Sequence, residues 1–235
     1  RSAWIAVANA AIMLPIGFMV DRAGGRDMLM PALLAVFGLG VVVGILDLII
    51  HRTIPEPTSD RGERRSLLAS LRVPLHDARL RPWLVFNSIW TFGMTLGGAL
   101  ATVYFVESLG IRRNFFGGSI VLLLLPMVGK ALTGKPLGRM VDSHGVKPVL
   151  RWGHMAWAVL PLFWVVATPE TAMVILGIGA LVAGVGSGAA LNAANKLLLR
   201  LPRSQEVAGY VALSTCIGAL AGGLGAFTAG LLLEG

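Results

Sequence analysis

Charged residues are scarce in this sequence: Asp, Glu, Lys and Arg make up 14% of its 235 residues, whereas 55% are hydrophobic. A soluble chain carries roughly 25% charged residues, so this chain cannot cover a globular surface with charge. Its single cysteine, Cys216, excludes an internal disulfide. The cysteine and four histidines form no cluster with metal-ligand spacing, so the sequence predicts neither a metal site nor a cofactor.

Acidic residues are especially few, 12 against 20 Lys and Arg, which gives a net charge of +8. In a soluble protein this excess would suggest a nucleic-acid partner, but in a membrane protein it indicates positively charged cytoplasmic loops. The 30 glycines and 12 prolines fit the second interpretation, because both residue types are tolerated inside membrane helices. The composition therefore predicts an all-α, polytopic membrane protein that does not bind nucleic acid.

Long apolar segments recur along the chain, and a helix needs about 20 apolar residues to cross the hydrocarbon. We predict seven transmembrane helices, over residues 3–20, 28–50, 83–106, 115–136, 148–168, 171–195 and 206–233. The segment 51–82 is the only connector long enough to divide the chain. It separates residues 1–50 from residues 83–235.

The basic residues are distributed unequally between the two ends of these spans. Arg1 and the segments 51–82, 135–151 and 196–203 place fifteen Lys and Arg on one side, whereas the other side has four. Positively charged loops remain in the cytoplasm, so we expect the connector to face it. Within the connector, leucines alternate with arginines near residues 64–73. This pattern predicts either a solvated linker or a basic amphipathic segment on anionic lipids of the inner surface.

One predicted inner loop reads Gly138-Arg-Met-Val-Asp142-Ser-His-Gly145-Val-Lys147. We expect Gly138 to let helices approach closely and Gly145 to permit a tight turn. We expect Asp142 to form an ion pair with an Arg side chain or to interact with a helix N-terminus, and Lys147 to lie near lipid phosphates. The spacing of Gly, Asp, Gly and a basic residue resembles the cytoplasmic loop signature of the major facilitator superfamily, although Ser143 stands where that family has Arg.

The resemblance extends along the whole chain. The segment from Gly17 to Arg26 resembles the family's outer loop between helices five and six, and Pro55-Glu56-Pro57 resembles the end of helix six. On this register the chain holds helices five to eleven, so four helices before it and one after it are expected. The resemblance implies alternating-access transport of a small solute, with a proton or another coupling ion, and a gating role for the Gly138–Lys147 loop.

Several polar residues lie inside the predicted spans, where they are costly and commonly functional. The candidates for a substrate pathway are Asn87, Thr91, Lys130, Asn192 and Asn195. Helix packing is the alternative for the Asn and Thr residues, because they also form ordinary interhelical hydrogen bonds. Lys130 is placed to bind an anionic substrate or respond to protonation, or else to extend its ammonium to the inner interface.

An enzymatic function is not predicted. The segment Gly129–Lys135 matches most of a phosphate-binding loop, but Pro136 stands where Ser or Thr should hold magnesium. We therefore expect a transporter in the plasma membrane. The alternative is a non-transporting polytopic membrane protein, such as a membrane-embedded enzyme or a receptor-like scaffold.

Overall fold

The computed structural model describes residues 18, 26–53, 67–111, 117–118, 120–203 and 206–234. All regular elements within these residues are helical, and none of them is a strand. A π-helical turn, Ile120–Leu124, leads directly into the fourth α-helix. The α-helices are α1 (Arg26–His51), α2 (Leu67–His76), α3 (Arg81–Glu107), α4 (Leu125–His144), α5 (Val146–Ala158), α6 (Leu160–Val166), α7 (Ala172–Arg200) and α8 (Val207–Glu234).

Five helical segments of the described residues are long and apolar enough to cross a membrane. They overlap the last five predicted spans, so the prediction of an all-α chain with apolar helices of membrane-spanning length is confirmed for the described residues. The predicted span 3–20 lies outside the described residues, and 28–50 lies within α1. The large apolar side chains of α1 between Phe37 and Ile50 are all at least 48% exposed, as expected for a surface in contact with lipid. The total of seven spans stays a prediction.

Helix α7 lies at the centre of the bundle because small residues cover two of its sides. A Cβ on Gly186 would lie 2.8 Å from the carbonyl oxygen of Gly153 on α5. A Cβ on Gly184 would collide with the carbonyl oxygen of Pro126 on α4. Without side chains at these positions the backbones approach closely, which is how helices commonly pack where lipid removes the hydrophobic driving force.

The contacts between helices fix their relative directions. Along α4, Leu125 packs near Gly177 and Lys130 near Gly188 of α7, so α4 and α7 run parallel. Helices α3 and α8 also run parallel, because Asn87 meets Gly218 and residues further along α3 meet residues further along α8. Helix α5 is antiparallel to α7. The alternation expected from the sequence is confirmed for these five spans.

This alternation brings basic side chains to one end of the bundle, here called the basic end. It comprises the starts of α3, α5 and α8 and the ends of α4 and α7; its exposed cations are Arg79, Arg81, Lys135, Arg139, Lys147, Arg151, Arg200 and Arg203. The opposite end carries the acidic residues Glu107, Glu170 and Glu234. Within the described part of these five spans, no Lys or Arg lies at that opposite end.

Two helix boundaries differ from the prediction. The predicted end of the fourth span at residue 136, followed by an inner loop, is wrong, because α4 continues through Pro136 to His144 and turns only at Gly145. The φ of Gly145 is +88°, a conformation that side chains disfavour, so a single residue makes the turn into α5. The predicted span 148–168 is interrupted at Val159. Pro161 explains this break, because it cannot donate a hydrogen bond to the preceding helical turn.

Candidate functional site

A cluster of polar contacts lies at the basic end, where α4 meets α7. Lys196 Nζ lies 2.5 Å from Asp142 Oδ1 and donates a second hydrogen bond to the carbonyl oxygen of Gly138 at 3.2 Å. Arg200 Nη2 lies 3.4 Å from the same carboxylate oxygen. Lys196 and Arg200 are four residues apart, so both side chains leave the same face of α7. We call these four residues the ion-pair site.

The sequence identified Asp142 but not its partners. Lys196 and Arg200 contributed only to the count of basic residues, although two cations four residues apart at the end of an apolar helix were a usable signal. The role expected for Gly138 is wrong: a Cβ there would meet no atom within 4 Å, so this glycine is not needed for close helix approach. Its contribution is the carbonyl group that receives Lys196.

Lys147 lies outside the ion-pair site. It is exposed in the first turn of α5, and in the described part of the chain its side chain forms neither an ion pair nor a hydrogen bond. The turn at Gly145 directs α5 away from Asp142. The structure therefore joins two of the four predicted gating residues, Gly138 and Asp142, and separates Lys147 from them.

The predicted pathway residues Asn87 and Thr91 lie on the packed face between α3 and α8. Asn87 Nδ2 is 3.4 Å from the carbonyl oxygen of Ser214, and a Cβ on Gly218 would lie 2.8 Å from that nitrogen. A Cβ on Gly222 would lie 3.2 Å from Thr91 Cγ2. These contacts agree with the packing alternative stated for both residues. Their role in a pathway stays a prediction.

A buried hydrogen bond joins α3 to α8 near the basic end of their interface. The indole nitrogen of Trp83 donates to Ser214 Oγ at 2.9 Å, across 131 residues of sequence. Both side chains are at most 8% exposed, and a buried donor left without an acceptor costs about 1–3 kcal/mol. This bond therefore fixes the register between α3 and α8.

Lys130, Asn192 and Asn195 are differently placed, on the side where α4 packs against α7. Lys130 is half-buried, close to the midpoint of the helical segment Ile120–His144, and its stem packs on α7: a Cβ on Gly188 would lie 3.2 Å from Lys130 Cγ. Asn192 follows one helical turn nearer the basic end. Among the described residues, none of these three polar side chains has a hydrogen-bonding partner.

A second polar contact, which sequence reasoning missed, ties the connector to the bundle. The Asp77 side chain, 11% exposed, accepts hydrogen bonds from the backbone N–H of Arg79 at 2.8 Å and from its guanidinium at 3.0 Å. The hydroxyl of Tyr210, at the start of α8, donates to the same carboxylate at 2.6 Å. The bonds from Arg79, followed by the one from Tyr210, hold the pKa of Asp77 well below its usual 3.8.

This depressed pKa gives a testable dependence on pH. A carboxylate whose pKa falls on folding contributes stability above its unfolded pKa and loses that contribution as the pH falls below it. We expect wild type to exceed Asp77→Asn in thermal midpoint at pH 7, and the difference to shrink only below about pH 4. In a Tyr210→Phe background, which keeps the ring but removes the hydroxyl, the effect of Asp77→Asn on the thermal midpoint at pH 7 should be smaller. A difference that is constant down to pH 3 would contradict this assignment.

An aromatic cluster links α3 to α5. The ring of His154 lies edge-on to Phe86 and Trp90, with centroids 4.7 and 4.5 Å away, and Trp157 packs 5.5 Å from Trp90. The apolar groove beside the cluster has a volume of about 330 Å³. The indole N–H of Trp90 is buried and finds no acceptor in the described residues. The cluster offers surface for packing and no nucleophile or acid–base pair.

Among the described residues, no group of three His, Cys, Asp or Glu side chains is placed to hold a metal ion. No family model, curated protein or solved structure matches this chain. The ion-pair site and the polar residues between α4 and α7 are therefore the features from which a function can be argued.

Proposed function

We propose that this chain belongs to a major facilitator-type secondary transporter, which moves a small solute across the plasma membrane by alternating access. The observation that carries the proposal is the ion-pair site. Asp142, within the Gly138–Lys147 segment that resembles the family's inner loop, is held by Lys196 and Arg200. In this mechanism two helix bundles rock around a site near the membrane midplane.

The ion-pair site has a definite part in that mechanism. Two residues of the ion-pair site belong to α4 and two to α7. The site therefore holds the turn between α4 and α5 against the end of α7. A turn held in this way can move as one body with the bundle. The cations at the basic end support placing that end, together with the connector, in the cytoplasm, because positively charged segments remain there.

The solute pathway is proposed to run beside the packed glycines of α4 and α7, along the face of the two helices that carries Lys130 and Asn192. Lys130 and Asn192 lie there without protein partners among the described residues, whereas Asn87 and Thr91 are engaged in packing. A cation near the middle of a membrane helix is costly, and such residues commonly serve a function. We assign to Lys130 the binding of an anionic group of the solute.

Transport measurements test this assignment. The protein expressed from its complete gene is placed in inverted membrane vesicles with a proton-sensitive dye and offered inorganic cations, anions, sugars and amphipathic drugs. Hydrogen bonds to charged groups contribute about 1.5–3 kcal/mol, so Lys130→Ala should lower transport tenfold or more. Lys135→Ala is the matched control, because Lys135 is an exposed lysine on the same helix and its loss should change transport less than twofold.

The outcomes separate the possible functions. A solute-dependent pH change that Lys130→Ala abolishes identifies a proton-coupled carrier. Solute flux without a pH change identifies a uniporter or an exchanger. Equal losses in Lys130→Ala and Lys135→Ala would remove Lys130 from the pathway. No flux with any class of solute would favour the alternative of a non-transporting membrane protein.

A further inference from the structure

A groove with a volume of about 390 Å³ lies on the outer surface of α5 at the basic end, and we call it the α5 groove. It is lined by Lys147, Pro148, Arg151, Trp152 and Met155. Lys147 and Arg151 are four residues apart on one helix, so their side chains lie on the same face, one turn apart. Two cations at this spacing present a concentrated positive charge at the mouth of the groove.

These two cations are not neutralised by the protein. In the described residues, the side chains of Lys147 and Arg151 form neither an ion pair nor a hydrogen bond. Lys196 and Arg200 at the same end instead share the carboxylate of Asp142. The positive charge of the α5 groove is therefore available to an external anion. A guanidinium offers several donors in a planar fork, the geometry that phosphate oxygens accept best.

The other side of the α5 groove is apolar and exposed. The side chain of Trp152 is 66% exposed and that of Met155 is 47% exposed. They follow Lys147 and Arg151 along α5, away from the basic end and towards the hydrocarbon. Tryptophan is enriched at the level of lipid headgroups, where one part of its ring is apolar and another polar. The groove thus has cations at its mouth and an apolar wall beyond them, which matches the order of a phosphate headgroup followed by acyl chains in a phospholipid.

We propose that the α5 groove binds one anionic phospholipid, with its phosphate between Lys147 and Arg151 and an acyl chain against Trp152 and Met155. A soluble anion would use only the two cations and would gain nothing from the apolar wall. The proposal concerns the surface of α5 and does not depend on whether the chain transports a solute.

Fluorescence quenching from Trp152 tests the proposal directly. The whole chain is reconstituted in phosphatidylcholine vesicles that contain a minor fraction of acyl-brominated lipid, either phosphatidylglycerol or phosphatidylcholine. The contribution of Trp152 is the difference between wild type and Trp152→Phe. We expect stronger quenching by brominated phosphatidylglycerol. Each cation near an anionic surface contributes about fivefold to the preference for phosphatidylglycerol over phosphatidylcholine. The double variant Lys147→Gln, Arg151→Gln should therefore abolish this preference.

Arg203→Gln is the matched control, because it removes one exposed cation at the same end outside the α5 groove. The single variant Arg151→Gln should lower the preference about fivefold, and Arg203→Gln should leave it unchanged. Equal effects of these two variants would overturn the proposal and indicate attraction to the whole basic end. Equal quenching by the two brominated lipids, or displacement by inorganic phosphate at matched ionic strength, would also overturn it.

Discussion

Gly225→Val is expected to separate α3 from α8 and to lower stability by about 3 kcal/mol, the upper part of the range for overpacking. A Cβ at Gly225 would collide with the carbonyl oxygen of Phe92 and with Thr95 Oγ1, and would lie 3.2 Å from the backbone nitrogen of Leu96. Two of these three atoms are backbone atoms of α3 and cannot rotate away. On the scale of soluble proteins of this size, the thermal midpoint should fall by roughly 6–12 °C.

Gly223→Val is the matched control, two residues away on the same helix. A Cβ at Gly223 would meet no atom within 4 Å, so this variant has the same change in helix propensity without the collision. Its thermal midpoint in detergent should stay within about 2 °C of wild type, since surface substitutions usually change stability by less than about 0.5 kcal/mol. Similar losses in the two variants would show that α8 does not pack on α3 through this face.

Asp142→Asn is expected to reduce transport by up to about fivefold, the effect of losing roughly 1 kcal/mol, while the protein remains folded. The side chains of Asp142 and Arg200 are each 59% exposed and that of Lys196 is 29% exposed, and exposed ion pairs contribute only about 0.2–1 kcal/mol to stability. Loss of the ion-pair site therefore cannot unfold the bundle. It frees the turn at Gly145 from the end of α7, so the turn no longer moves with the bundle.

Transport and the thermal midpoint should be measured on the same preparations of Asp142→Asn. Glu170→Gln is the control, because it removes one exposed carboxylate at the other end of the bundle, and it should retain transport within twofold. Asp142→Glu, which keeps the charge, should recover part of the activity. If Asp142→Asn transports normally, the ion-pair site has no part in the mechanism. If its thermal midpoint falls as far as that of Gly225→Val, its role is structural.

The spans were predictable because the hydrophobic signal extends over 20 residues and tolerates local errors. The end of α4 was not, since Pro136 and the charges around it favoured a loop. An exposed helix can continue through such residues when its far end is held, and here Lys196 holds it through Gly138 and Asp142. These partners are more than 50 residues apart in the sequence, so no local sequence pattern predicts the contact.

The candidate site was predictable in composition but not in arrangement. Asn87 and Lys130 read alike from sequence, as polar residues inside apolar spans. Their surroundings differ because Asn87 faces Gly218 on α8 and donates to a carbonyl group there, whereas Lys130 rests only its stem on Gly188. Which polar residue finds a partner depends on helix pairing. The pairing of α3 with α8 joins the first and last spans of the five-helix bundle.

That pairing has a consequence for biosynthesis. Trp83 and its acceptor Ser214 are 131 residues apart, which at the usual rates of translation corresponds to roughly 7–26 s. During this time α3 has left the ribosome with the Trp83 indole and the Asn87 amide on one face and no helix to receive them. The nascent chain must keep α3 sheltered, in the translocation channel or against α7, until the ribosome has passed the end of α8.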